Sequence, residues 1–228
     1  GLSAGAVLYN FLQQLGCKQL HYLLPRRSED GYGVHGHLLA ELRGRLAPAA
    51  RPLLITVDCG ISDHQALTEA QELGYTVIVT DHHRPAATLP PAAAILNPHP
   101  GGCPFPCNTL AGVGVAFYLL IGLRRHLAGE GFFAGGEPPN LKEYLDLVAL
   151  GTVADMVPLR GANRILVRAG LEVLQACRRP GLAALTIAAG IISNSTCNIK
   201  RAIYPEDISF IMAPRINAAG RVASPETA

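Results

Sequence analysis

The chain has 228 residues, 49% of them hydrophobic and 16% charged, so it carries apolar material for one large core or two modest ones and is not a disordered chain. No apolar run reaches the roughly 18 uncharged residues of a membrane span, and the N-terminus lacks the basic and apolar regions of a signal peptide, which makes a soluble cytoplasmic protein the default. A net charge of +2 does not announce a nucleic-acid binder, because phosphate contacts come from local clusters of Lys and Arg and not from the total.

Ser3 to Leu15 has the spacing of an amphipathic helix closed by Gly16, and the apolar stretch Leu20 to Leu24 reads as a buried strand. Gly1 and Leu2 stand where an initiator Met is expected, and Ala228 follows a polar turn. Both ends therefore read as cuts, and the chain as a piece of a longer protein entered inside a strand-helix-strand unit. Gly31-Tyr32-Gly33 is a turn, His35 to Leu46 a helix, and Leu53 to Val57 an apolar, β-branched strand ending at Asp58. Ser62 and Gln65 have capping-box spacing, which predicts a helix from Asp63 to about Leu73, stopped by Gly74. Thr76 to Thr80 is the next strand and ends at Asp81.

The Pro-rich residues 85 to 106 read as an irregular connection, Ala111 to Leu127 as a long core helix and 129 to 139 as a surface loop. Asn140 with Glu143 caps a helix through about Leu150, and Gly151 to Leu159 carries Asp155 on an apolar turn or short strand. From Asn163 onward the pattern is mostly helical, with a loop near Ser193 to Ile203. Six cysteines scattered over a chain of this size suit reduced thiols in a cytosol. Cys103 and Cys107 lie near His99, but no second ligand pair follows, which argues against a zinc site.

This alternation predicts an α/β fold in which a parallel β-sheet is sandwiched by helices, followed by a mostly helical segment. The division falls into an α/β domain over 1–160 and a helical continuation over 161–228. Ligands in such sheets bind at the carboxyl ends of the strands. Asp58 and the Asp81-His82-His83 cluster lie just past two such ends, 23 residues apart. Carboxylates with one imidazole make a hard, oxygen-rich site that suits Mn²⁺ or Mg²⁺, and Asp58, His82 and Asp155 are the candidate metal ligands. The alternative is that Asp58 and Asp155 only cap helices or accept backbone hydrogen bonds. Two adjacent histidines point in different directions, so one can serve as a ligand while the other donates to a phosphate oxygen and Asp81 orients a ring.

Val57-Asp58-Cys59-Gly60, Thr80-Asp81-His82-His83, Gly151-Thr152-Val153-Ala154-Asp155-Met156-Val157-Pro158-Leu159 and Ala213-Pro214-Arg215-Ile216-Asn217-Ala218-Ala219-Gly220-Arg221 stand in order along the chain, with Gly31-Tyr32-Gly33 ahead and Leu110 to Phe117 between. In these runs the chain resembles the DHH phosphoesterase family, in its RecJ branch. The resemblance implies a single-stranded-DNA-specific 5′ to 3′ exonuclease of DNA repair and recombination, using two divalent ions, Mn²⁺ or Mg²⁺. It implies that Asp58 bridges the ions, that His82 and Asp155 are ligands, and that His83, with Asp81 behind it, meets the scissile phosphate. It further implies that Arg27, Arg215, Asn217 and Arg221 contact the strand, small residues around the last three letting a nucleic-acid backbone approach. Single-stranded DNA is the implied partner; a single-strand-binding protein and a helicase are further candidates.

Members of the family carry an Asp-x-Asp-Gly sequence just before the first helix, and Gly1-Leu2-Ser3-Ala4-Gly5 matches only the stretch after those carboxylates. The C-terminal strand-clamping domain and the oligonucleotide-binding fold of that branch are also outside this sequence, so the chain alone is expected to bind metal poorly and to be nearly inactive. Two alternatives stand beside this reading. One is a phosphodiesterase of the same family acting on oligonucleotides, cyclic dinucleotides or pyrophosphate; the other is a non-catalytic replication scaffold of the same fold.

Overall fold

Three short apolar runs, β1 (Leu53–Val57), β2 (Thr76–Thr80) and β3 (Ala94–Leu96), pair in parallel in the order β1-β2-β3. The register sets Val57 beside Thr80 and Thr80 beside Leu96, so the carboxyl ends of all three lie along one rim. The structure, a computed structural model, describes residues 1–26, 29–99, 101, 103–192 and 201–222, with backbone alone at 219–222.

Alternation along the strands buries both faces, because successive side chains point to opposite sides. Leu54, Val77, Val79 and Ile95 pack with Leu39 of α2 (Gly36–Arg45) and with Leu67 and Ala70 of α3 (His64–Glu72). Ile55, Val57 and Leu96 pack on the other face into a larger core with α1 (Leu2–Gln14), α4 (Gly112–Gly129) and α5 (Leu145–Ala154). That larger core runs on without a break through α6 (Gly161–Gln175) and α7 (Pro180–Ala188) to Met212. A short α8 (Pro205–Asp207) passes through a π-helical turn (Ile208–Met212) into α9 (Ala213–Val222). No helix of the described residues is long and apolar enough to cross a membrane.

The expected α/β architecture with a sandwiched parallel sheet is thus present, and β1 and β2 have the expected bounds. Four local expectations are corrected. Leu20 to Leu24 is not a buried strand: it has no regular secondary structure and lies beside Leu38 and Leu42 of α2, with Tyr22 and Leu23 exposed and the Tyr22 ring edge-on to Tyr9. Among the described residues it has no ladder partner, and apolar composition without a neighbouring strand leaves its backbone groups to water. The Ser62 capping box does not form; Asp63 is the N-cap of α3, and its carboxylate turns instead to the Val34 N–H, 2.9 Å away. The 85–106 connection contains β3, three residues long between prolines. Finally, α5 does not stop at Leu150 but continues to Ala154, so Asp155 stands on the expected turn and is at the same time the C-cap of that helix. Asn140 does accept a hydrogen bond from the Lys142 N–H, as a cap of the 3-10 turn (Leu141–Tyr144) that leads into α5.

Candidate metal centre

Each strand end delivers a polar residue to the rim because the ladder ends there. Asp58 follows β1, its N–H bonding to the Thr80 carbonyl at 2.8 Å, and Asp81 follows β2, its N–H bonding to the Leu96 carbonyl at 3.0 Å. Asp155 arrives from the helical side as the C-cap of α5, and Met156 ends that helix in the left-handed region at φ 57°.

Asp58 and Asp155 meet at one imidazole. His82 Nε2 lies 3.1 Å from Asp58 Oδ1 and 3.3 Å from Asp155 Oδ2. Asp58, His82 and His83 also place one ligand atom each within 4.8 Å of one another. His82 Nε2 and Asp58 Oδ1 are sealed from solvent, and although close they are not aligned as a hydrogen bond, so both stay without a hydrogen-bond partner among the described residues. Buried polar atoms seldom remain so, because each unmet group costs about 1–3 kcal/mol. Carboxylate oxygens and an imidazole nitrogen converging on one point are what a cation needs. Oxygens with one imidazole nitrogen fit a hard divalent ion, and the residues present fit that group.

His83 is turned the other way. Its Nδ1 lies 2.7 Å from Asp81 Oδ1, and its side chain is 47% exposed against 12% for His82. Asp81 is buried and accepts the N–H groups of Ile61, His82 and His83 at 3.0, 2.7 and 3.1 Å, so it is a fixed acceptor that leaves the His83 Nδ1 carrying the proton.

The charges are unevenly matched. Burial raises the Asp58 carboxyl, but the His82 imidazole and the terminal ammonium, 2.5 Å from Oδ2, outweigh it and hold the group at about 2. Burial raises Asp155 too, and there His82 offsets only part of the effect, so its carboxyl stays above the usual range. Burial alone lowers His82, yet Asp58 and Asp155 together raise it. Cys59, beside Asp58, is pushed up to about 12 by burial and by Asp63, Asp81 and Asp58, and is no nucleophile.

Other residues now visible at the centre carried no role in the sequence. Gly112, the first residue of α4, leaves no space for a side chain: a Cβ there would lie 2.0 Å from Asp58 Oδ1. The Tyr32 hydroxyl donates to the Asp58 carbonyl, and its ring stands edge-on to His83. Burial and the surrounding carboxylates raise the Tyr32 hydroxyl, which keeps it a donor. Asn97, past β3, donates to the His83 carbonyl at 2.8 Å. The signals available were Gly31-Tyr32-Gly33 and the Gly-spaced start of α4.

Of the residues expected to contact a strand, Arg215 and Asn217 lie exposed on α9, and the Arg215 guanidinium donates to the Ile211 carbonyl of its own helical run at 2.7 Å. Arg27 and the side chain of Arg221 lie outside the described residues, as does most of the loop expected at Ser193 to Ile203.

Against known proteins, the pattern described as DHH family, N-terminal domain, matches residues 1–152. The single-stranded-DNA-specific exonuclease RecJ of Salmonella typhimurium is 46% identical over 225 residues, which are 97% of this chain and 37% of the relative. That of Thermus thermophilus is 40% identical over 228 residues, 100% of this chain and 30% of the relative. A crystal structure of exonuclease RecJ bound to manganese superposes with a TM-score of 0.78 at 40% identity, covering 99% of this chain and 51% of that one. The crystal structure of RecJ from Thermus thermophilus in complex with Mn²⁺ gives 0.74 at 37% identity, over 99% of this chain and 29% of that one. The chain therefore spans about a third of the length of these curated relatives.

Proposed function

The chain belongs to the DHH family, and from that premise we propose that the whole protein is a metal-dependent exonuclease that degrades single-stranded DNA from its 5′ end. The observation that carries this is the meeting of Asp58, His82 and Asp155 at the carboxyl rim of the sheet with two buried donor atoms unsatisfied. Asp58, His82 and Asp155 hold the divalent ions, Mn²⁺ or Mg²⁺. Such ions, when bound, supply the positive charge that offsets charge growing on the phosphate and acidify the attacking water.

The chain's own residues do the rest. His83 turns Nδ1 to Asp81, which fixes the ring from behind and leaves Nε2 to face a phosphate oxygen. The negative end of the α5 dipole lies at Asp155 and adds to the cation's attraction, whereas the first turn of α4, beside Asp58, favours that carboxylate in its charged form. Arg27, Arg215, Asn217 and Arg221 contact the strand backbone; for Arg215 this requires releasing the Ile211 carbonyl. We place the protein in the cytoplasm, where unwinding by a helicase supplies single strands and a single-strand-binding protein presents them. We also take residues 161–228 as the connector that carries the Arg-Ile-Asn-Ala-Ala-Gly-Arg run.

The test is to give the full-length protein and Mn²⁺ equal amounts of 5′-phosphorylated single strand, duplex and dinucleotide. Mononucleotides should appear from the single strand alone and stop on addition of EDTA. Faster hydrolysis of the dinucleotide would replace this reading with that of an oligonucleotide phosphodiesterase.

A further inference from the structure

Asp58 holds a left-handed backbone, φ 63°, a region that side chains other than those of Asn and Asp seldom adopt. Something must hold the chain there while leaving the carboxylate free. Beyond the Asp58 N–H bond to the Thr80 carbonyl, two hydroxyls fasten the turn. The Cys59 carbonyl accepts the hydroxyl of Thr56, on the strand itself, at 2.8 Å. The Asp58 carbonyl accepts the hydroxyl of Tyr32, 26 residues earlier in the chain.

Tyr32 touches the second half of the centre as well, for its ring meets the His83 imidazole edge-on with centroids 5.8 Å apart and planes at 72°. Its loop is anchored just beyond, where the Val34 N–H donates to the carboxylate of Asp63, the N-cap of α3. At 60% exposure the ring adds little to either core. Its contribution passes through these two contacts.

We propose that Tyr32 is a positioning residue for the metal centre: its hydroxyl fixes the left-handed turn that aims the Asp58 carboxylate, and its ring sets the orientation of His83. Without the hydroxyl the turn is free to relax toward an ordinary strand-like φ, which swings the carboxylate away from His82 and out of the space that Gly112 leaves for it. The inference rests on the proposed metal-holding role of Asp58.

The experiment uses the full-length protein and two variants. Tyr32→Phe keeps the ring and removes the hydroxyl; Tyr32→Leu removes both. Mn²⁺ alone is the probe, its free concentration read from the paramagnetic resonance signal, alongside kcat and KM on a 5′-phosphorylated single strand and the melting temperature. With Tyr32→Phe, Mn²⁺ affinity and kcat should both fall about tenfold, the scale of one lost hydrogen bond, with KM nearly unchanged. Tyr32→Leu should lower kcat further without further loss of Mn²⁺ affinity, because the ring acts on His83. Wild-type Mn²⁺ affinity in Tyr32→Phe overturns the inference, and so does a raised KM at unchanged affinity, which would make Tyr32 a strand contact. If the unmodified protein binds Mn²⁺ but cuts no single strand, the proposed function fails while the Mn²⁺ titration still decides the role of Tyr32.

Discussion

Asp58 and Asp155 face the same imidazole, yet the first carboxyl is held at about 2 and the second lies above the usual range. Burial pushes both upward, and the difference lies in what opposes it. Asp58 has His82 and an ammonium group on its two oxygens; Asp155 faces His82 from the negative end of α5. Where residue 1 is joined to a preceding residue that ammonium is a peptide N–H, and Asp58 becomes a stronger candidate for a cation. Gly112 sets the room available for it. Adding a Cβ 2.0 Å from Oδ1 forces either the carboxylate to rotate or the first turn of α4 to shift, and overpacking of this kind costs about 1–3 kcal/mol. Gly112→Ala in the full-length protein should therefore lose most of its Mn²⁺ affinity by titration calorimetry while still melting cooperatively, several degrees lower. A lowered melting temperature with wild-type affinity would show that the carboxylate binds from elsewhere. Asp58, His82 and Asp155 could be picked from the sequence because charged residues inside apolar runs are costly unless matched. For Tyr32 and Gly112 the sequence offered only the Gly-Tyr-Gly run and the Gly-spaced start of α4, since their roles depend on distances across 26 and 54 positions that no local pattern records.

At the scale of elements, β1 and β2 were legible to the residue, each being five apolar or β-branched positions closed by an Asp. The same alphabet misled at Leu20 to Leu24, because a strand is made by its neighbour and composition does not name the neighbour. It hid β3, too short to show a period. It also cut α5 short, because a helix buried on nearly every side has no stripe. The join between the elements is held by a residue that periodicity ignores. Asn163, fully buried on α6, donates to the carbonyls of Thr109 and Pro158 at 2.6 and 3.1 Å, and its Oδ1 accepts the Ala111 N–H at 3.4 Å. It thus ties the segment entering α4, whose first residue touches Asp58, to the segment leaving Asp155. Asn163→Leu keeps the volume but leaves these backbone groups unpaired, a loss of about 3 kcal/mol. Melting should fall by roughly 5–10 °C, with weaker Mn²⁺ binding alongside. A drop in stability with Mn²⁺ affinity intact would mean that α4 and α5 hold the ligands without this tie.

At the scale of the whole molecule, the candidate ligands come from three places that fold separately in sequence: the end of β1, the end of β2 and the end of α5. A cation held by all three joins the sheet to the helical layer, so metal binding and folding must be linked. The sign with pH follows from the protons. The raised His82 stabilises the metal-free fold fully below its ordinary value of 6.5, and that contribution is lost as pH rises through the raised one. Asp155, raised as well, ionises on the same upward path and weakens the metal-free fold further. A divalent ion needs the neutral ring and both carboxylates, so it binds best where the metal-free fold is weakest. Melting curves of the full-length protein with EDTA and with Mn²⁺ should thus lie close together near pH 6 and separate toward pH 8. At a hundredfold excess over Kd the gain is about 2.7 kcal/mol, or roughly 5–10 °C for a domain of this size. Asp155→Ala should collapse the separation at pH 8. A gap between the curves that stays constant from pH 6 to pH 8 would mean that the ion does not displace the proton of His82, and that the imidazole facing both carboxylates is not a ligand.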